Sequence, residues 1–191
     1  MDSQPLIWLA RLSGIDVRER LTGSDLLPRL CEVAAREGWS CYIAGGKPGI
    51  PEQAARNLKE KYEGLRIAGT LSPRYGFELD PHGIADVAST IRNAQPDILF
   101  FCLGTPKTEK ILYPHLEEFG ASFTLSVGAA VDFAAGSVHR APRVVQLLGL
   151  EWLFRFLQEP TRLFRRYFID SWQLLDIYRR YRREMSHAHR N

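Results

Sequence analysis

No lysine follows Lys110 in this 191-residue chain, so arginine alone carries the positive charge of the last third. Long apolar runs are also missing. The longest candidates, such as 97–103, are strand-sized, far below the roughly 18 residues that span a bilayer. Asp2 stands where a secretory leader would be basic, and no leader-like apolar stretch follows, so no signal peptide is expected. Cysteine is scarce: Cys31, Cys41 and Cys102 are far apart and form no CxxC. Buried thiols in a reducing compartment are therefore expected, not disulfides or zinc ligands. Compositional bias is absent too. With 45% hydrophobic and 25% charged residues, 15 Gly and 11 Pro, the chain is neither a disordered tail, a collagen repeat nor a coiled coil. Its length suits one compact domain, or one domain with an appendage.

Several catalytic signatures are lacking. No GxGxxG follows a strand, which disfavours a standard dinucleotide fold. There is no GxxxxGK[ST], no GxSxG elbow and no HExxH, so P-loop NTPases, serine hydrolases of the elbow type and zincins are excluded. No DxD pair occurs, so no metal site built on two close carboxylates is expected.

What is present is an alternation of apolar runs and amphipathic stretches. Strands are expected over 41–44, 65–69, 98–103 and 122–127. Helices are expected over 1–14, 26–37 (capped by Ser24 or Asp25), 52–62, 84–94 and 108–118. Strand, glycine-bearing loop, helix and strand in repetition predict right-handed βαβ units, hence an α/β fold with a parallel sheet and helices on both faces. Ligands in such sheets bind at the carboxyl ends of the strands. Those ends are expected at Gly45-Gly46, Gly69-Thr70, Gly104-Thr105-Pro106 and Gly128-Ala129.

After Gly136 the character changes. Residues 151–191 carry nine Arg against five acids, although the whole chain has a net charge of only +3. Trp152, Phe154, Phe156, Phe164, Tyr167 and Phe168 are interleaved with these arginines, a mixture that favours an interface over a merely solvated face. A domain over 1–147 and a helical, Arg-rich appendage over 148–191 are expected. Within 170–185, Leu174, Tyr178, Tyr181 and Met185 form an apolar stripe, with Arg179, Arg182 and Arg183 off it. That pattern suits an anionic membrane surface. A neutral body and the absence of a recognised motif argue against nucleic acid.

Residues 104–167 carry a string of motifs. They read Gly104-Thr-Pro-Lys-Thr-Glu109, Val127-Gly-Ala-Ala-Val-Asp132-Phe-Ala-Ala-Gly136, Arg140-Ala-Pro142, Gly149-Leu-Glu-Trp-Leu-Phe-Arg155 and Glu159-Pro-Thr-Arg162-Leu-Phe-Arg165-Arg166-Tyr167. Upstream stand Arg20-Leu-Thr-Gly-Ser-Asp25-Leu-Leu and Gly45-Gly-Lys-Pro-Gly. In this order they resemble the WecG/TagA/CpsF glycosyltransferases (glycosyltransferase family 26), from Asp2 to about Ile169. The resemblance implies a Rossmann-like domain with a C-terminal appendage, cytoplasmic and peripheral at the inner face of the membrane. It implies metal-independent, inverting transfer of an N-acetylmannosamine-type sugar, without a cofactor, from a UDP-sugar to polyprenyl-diphosphate-linked N-acetylglucosamine. Teichoic acid and other surface polysaccharides are built by that step. A homo-oligomer is compatible with it.

The chain departs from the family in two places. The family carries a strand-helix-strand unit ahead of the position where this chain begins, and Thr108 stands where the family usually has Gln. These departures keep open a second reading, a non-catalytic binding or scaffold relative that retains membrane contact.

Residue by residue, the resemblance puts Asp2 on the family's proposed catalytic Asp, a base for the acceptor hydroxyl. It puts Arg155, Arg162 and Arg165 on the arginines proposed to reach a diphosphate, where guanidinium forks would stabilise a leaving UDP. From the residues themselves, Gly45 and Gly46 would let backbone N–H groups approach phosphates, or simply make a turn. Lys107 would meet a diphosphate, with Thr105, Thr108 and Glu109 on the same strand-end loop. Asp132 would hold a ribose or sugar hydroxyl, or else cap a helix. Arg20 and Asp25 are read as a structural ion pair or as substrate contacts.

Overall fold

The computed structural model describes residues 4–19, 21–147, 149–158, 160–164 and 178–181, with 4–6, 143, 147 and 162 described by backbone alone. By compactness the chain divides into two units: Leu21–His139, and Met1–Arg20 together with Arg140–Asn191. This division falls at 20/21 and 139/140. Helix α1 (Gln4–Leu12) belongs to this latter unit and buries Ile7 and Ala10, one turn apart on one face.

The unit Leu21–His139 opens with α2 (Gly23–Glu37). Its cap is Thr22, not Ser24 or Asp25. The Asp25 N–H donates to Thr22 Oγ1 at 3.2 Å, and the Thr22 hydroxyl donates to Asp25 Oδ2 at 2.7 Å. Threonine followed three residues later by an acid is the spacing of a reciprocal cap, which is why Thr22 wins the position. Gly38, at φ 72°, ends the helix as expected.

Four strands follow: β1 (Ser40–Ala44), β2 (Arg66–Leu71), β3 (Ile98–Phe101) and β4 (Phe123–Ser126). All pair in parallel, in the order β2-β1-β3-β4. The crossovers are α3 (Ile50–Lys61), α4 (Pro81–Asn93) and α5 (Lys107–His115), and α6 (Ala130–Ala135) follows β4. The sheet is covered on both faces, as the continuous apolar runs predict. Cys41, Ile43, Ile98 and Phe100 point to one side, where α2, α3 and α6 supply Leu27, Ala54 and Val131. Tyr42, Ala44, Leu99 and Phe101 point to the other, against Val87, Ile91 and Ile111 from α4 and α5. Phe100 and Phe101 are fully buried on opposite faces, and each contributes about 1.5–3 kcal/mol by leaving water.

Two expectations need correction here. Gly69-Thr70 is not a strand-end loop but lies inside β2, because the Tyr42 ring of the neighbouring strand covers Gly69 and leaves no room for a side chain. The helix expected over 108–118 gives way after His115 to a 3-10 turn, Leu116–Phe119. Pro114 has no N–H to continue the ladder, so the chain tightens there. The three cysteines are buried free thiols. At the amino end of the sheet, Asp97 Oδ2 accepts from the Ser40 N–H at 2.7 Å and from its hydroxyl at 2.8 Å, clamping β1 to β3.

In the other unit, α7 (Arg143–Leu147), α8 (Glu151–Gln158) and α9 (Pro160–Phe164) follow one another, and Arg140 Nε lies 3.4 Å from Glu151 Oε1. Residues 178–181 are helical. Apart from these four, residues 165–191 lie outside the described residues, and with them most of the stripe expected within 170–185. No helix among the described residues is long and apolar enough to cross a membrane.

Candidate functional site

The strand order itself marks a crevice. From β1 the chain moves outward to β2, then returns across β1 to β3 on its other side, so the connections diverge between β1 and β3. In open parallel sheets that divergence leaves a gap at the carboxyl ends, where ligands sit.

Gly45 and Gly46 leave β1 at this point. Gly45 has φ 115°, and a Cβ there would lie 2.7 Å from the Cys102 carbonyl carbon and 2.8 Å from its oxygen. Glycine is therefore required at 45 by the close approach of the two strand ends. Gly46 (φ 87°) is different. A Cβ would find its nearest neighbours at 3.4 Å, on Ile50 and Val131, an ordinary contact. Its carbonyl accepts a 2.8 Å bond from the Ser72 hydroxyl, which ties the end of β1 to the loop after β2. Of the pair, Gly46 is the one whose surroundings leave space beside the backbone.

The loop after β3 brings together Thr105, Lys107, Thr108 and Glu109. Thr105 Oγ1 donates to Glu109 Oε1 at 3.1 Å across the first turn of α5, so these two satisfy each other. Lys107 Nζ forms an ion pair with Glu78 Oε1 and lies 5.2 Å from the centroid of the Tyr75 ring. The bond from Lys107, with a backbone bond second, holds the Glu78 carboxyl below the ordinary carboxylate range. Thr108 is fully buried, with its hydroxyl enclosed and without a hydrogen-bond partner among the described residues. Glu78 and Tyr75 had no sequence signal beyond Gly76 between them, which marks a tight turn. Nothing in spacing relates them to Lys107.

Asp132 lies in the first turn of α6, half-buried, with Ala129 and not Asp132 at the cap position. Its main-chain carbonyl accepts from both the N–H and the hydroxyl of Ser137 at 3.0 Å. The Cys102 thiol is pushed up by burial first, and then by the negative charge of Asp132. That carboxylate is therefore within electrostatic range of Cys102, the residue that follows β3. A cleft of about 270 Å³ between α2, α3 and α6 takes in Leu27, Asn57, Lys61 and Phe133 but none of the candidate site residues.

The remaining candidates are not gathered in this way. Asp25 is engaged in the α2 cap. Arg155 is half-buried on α8, and Arg162 is in α9 with only its backbone described. Asp2, Arg20 and Arg165 lie outside the described residues.

The segments that leave the carboxyl ends of the strands thus carry a glycine backbone, an ammonium paired with Glu78, and the carboxylate of Asp132. Such a set suits an anionic, hydroxyl-bearing ligand. The chain is 27% identical over 161 residues to N-acetylglucosaminyldiphosphoundecaprenol N-acetyl-beta-D-mannosaminyltransferase from Bacillus subtilis (strain 168). The match covers 84% of this chain and 60% of the relative, so the chain spans less than two thirds of that protein's length. The family model described as "Glycosyl transferase WecG/TagA/CpsF family" matches residues 1–188. With nearly its whole length matched, and an α/β parallel sheet carrying the motifs at its strand ends, the chain belongs to the WecG/TagA/CpsF glycosyltransferase family.

Proposed function

We propose that the protein transfers an N-acetylmannosamine-type sugar from a UDP-sugar to a polyprenyl-diphosphate-linked N-acetylglucosamine. The observation that supports this reading is that Gly46, Lys107 and Asp132 all lie on the segments that follow β1, β3 and β4 at the carboxyl edge of one parallel sheet. The name of the Bacillus subtilis relative supplies the chemistry. Gly46 offers backbone N–H access, Lys107 a cation for the diphosphate, and Asp132 an acceptor for a ribose or sugar hydroxyl.

Transfer would be inverting, with Asp2 as the base for the acceptor hydroxyl and Arg155, Arg162 and Arg165 stabilising the leaving diphosphate without a metal. The arginine- and aromatic-rich C-terminal residues would hold the protein at the cytoplasmic face of the membrane, where the lipid-linked acceptor resides. The division of labour between 1–147 and 148–191 belongs to the same proposal.

The test is release of UDP from UDP-N-acetylmannosamine in the presence of a lipid-diphosphate N-acetylglucosamine analogue. Acceptor-dependent release supports transfer. A second reading, a non-catalytic binding relative, is favoured by Thr108, whose short, fully buried side chain stands where the family usually has Gln. UDP binding with no acceptor-dependent release would select it.

A further inference from the structure

Lys107 occupies the first position of α5, after Pro106. A cation there faces the positive end of the helix dipole, so the position costs stability in isolation. Its counter-charge comes from a distant segment, the loop between β2 and α4. There Phe77, 3% exposed, plugs into the core beside Phe101 and Ile91. Gly83 on α4 lets the Phe77 carbonyl come so close that a Cβ would stand 2.7 Å from its oxygen. The short 3-10 turn Phe77–Leu79 is thereby anchored from below. Tyr75 and Leu79 on either side are 99% and 84% exposed, while the Glu78 side chain is only 16% exposed. One Glu78 oxygen meets Lys107 Nζ, and the other is enclosed with no hydrogen-bond partner among the described residues. A carboxylate packed in this way does not swing to solvent, so the ammonium is held by a fixed anion. An ammonium has three donors, and Glu78 Oε1 takes one. The Lys107 side chain remains 37% exposed.

We propose that Glu78 is the positioning residue of Lys107, fixing its ammonium at the mouth of the strand-end crevice so that a nucleotide diphosphate meets a pre-set cation. This rests on the reading of that crevice as the UDP-sugar site. A lysine held by a fixed glutamate and aimed at phosphates is an arrangement that phosphoryl-transfer enzymes use for the same physical reason. Glu78 touches no ligand in this scheme and acts only through Lys107.

The experiment is calorimetric titration of the full chain with UDP, for the wild type, Glu78→Gln, Lys107→Met, the double variant, and Arg74→Ala. Losing the aim of one charge-assisted bond should weaken UDP binding by about tenfold in Glu78→Gln. The double variant should bind no more weakly than Lys107→Met, because a positioning residue has nothing left to position. Arg74→Ala breaks the neighbouring exposed Arg74–Asp80 pair of the same loop and should leave affinity unchanged, which separates positioning from general loosening of the loop. Glu78→Asp keeps the charge with a shorter reach and should fall between wild type and Glu78→Gln. Wild-type affinity or tighter binding in Glu78→Gln overturns the proposal while leaving the UDP site standing, as does a Glu78→Gln effect that adds in full to Lys107→Met. A wild-type chain that binds no UDP overturns the site reading and this inference with it.

Discussion

Gly45 and Gly46 are adjacent, both have positive φ, and both stand at the candidate site, yet the structure separates their roles by energy. In Gly45→Ala the new methyl meets backbone, not a movable side chain: the Cys102 carbonyl carbon at 2.7 Å and its oxygen at 2.8 Å. Relieving that overlap requires the ends of β1 and β3 to part, at about 1–3 kcal/mol for over-packing. The residue is also forced to hold φ 115° with a side chain, at about 1–3 kcal/mol more. The stiffer unfolded chain returns about 0.4–1 kcal/mol. The net is a loss of about 3 kcal/mol, a large share of the 5–15 kcal/mol that holds a domain together. For Gly46→Ala the contacts at 3.4 Å cost little, so only backbone strain remains, about 1 kcal/mol net. Urea unfolding followed by far-ultraviolet circular dichroism reads the difference. With a slope of about 2 kcal/mol per molar, the midpoint should fall by about 1.5 M for Gly45→Ala and about 0.5 M for Gly46→Ala. UDP affinity should fall in Gly46→Ala despite its milder effect on folding. Equal losses of stability at the two positions, or a Gly45→Ala protein as stable as wild type, would refute the assignment of Gly45 to strand-end packing.

Asp132→Ala should weaken UDP binding by about 1.5–3 kcal/mol if its carboxylate holds a hydroxyl, and unchanged affinity by calorimetry removes it from the site. Asp97 is held below the ordinary carboxylate range by the Ser40 N–H and hydroxyl. The folded state thus prefers the anion, and the contribution is present above the unfolded value of about 3.9 and lost as pH falls through the lower folded one. Ser40→Ala should flatten that acid limb in urea midpoints taken between about pH 6 and 2.5, and an acid limb identical to wild type would count against the clamp. The combined changes Arg179→Glu, Arg182→Glu and Arg183→Glu should abolish preferential co-sedimentation with anionic over neutral vesicles at low salt, since each Arg near such a surface is worth about 1 kcal/mol. Retained preference assigns the stripe to packing instead.

The fold was legible where one physical demand acted alone on a segment. Ile98–Phe101 reads as a doubly covered strand because all four residues must be apolar, and all four are buried. It was illegible where a neighbour intruded. Gly69 looks like a loop residue, and only the Tyr42 ring from the next strand explains a glycine inside β2. Helix α6 is legible only as the alternative in which Asp132 caps a helix, because its six residues, Ala-Val-Asp-Phe-Ala-Ala, lack a side-chain cap and are too few to show a period. The glycines, Lys107, Thr108 and Asp132 are legible as strand-end residues through local motif, and their roles there are part of the proposal. Their burial is not legible: that Thr108, in the first turn of α5, is fully enclosed depends on how the helix packs. Glu78 lay beyond local reasoning altogether.

Yet Lys107 itself carries a trace of Glu78. A lysine at the first position of a helix conflicts with the dipole, and the acid of the same turn, Glu109, accepts from Thr105. Glu78 supplies a counter-charge from another loop, with one oxygen enclosed and without a hydrogen-bond partner among the described residues. Local and tertiary demands disagree at this place, at the mouth of the crevice, and functional residues are expected where a sequence accepts such a disagreement.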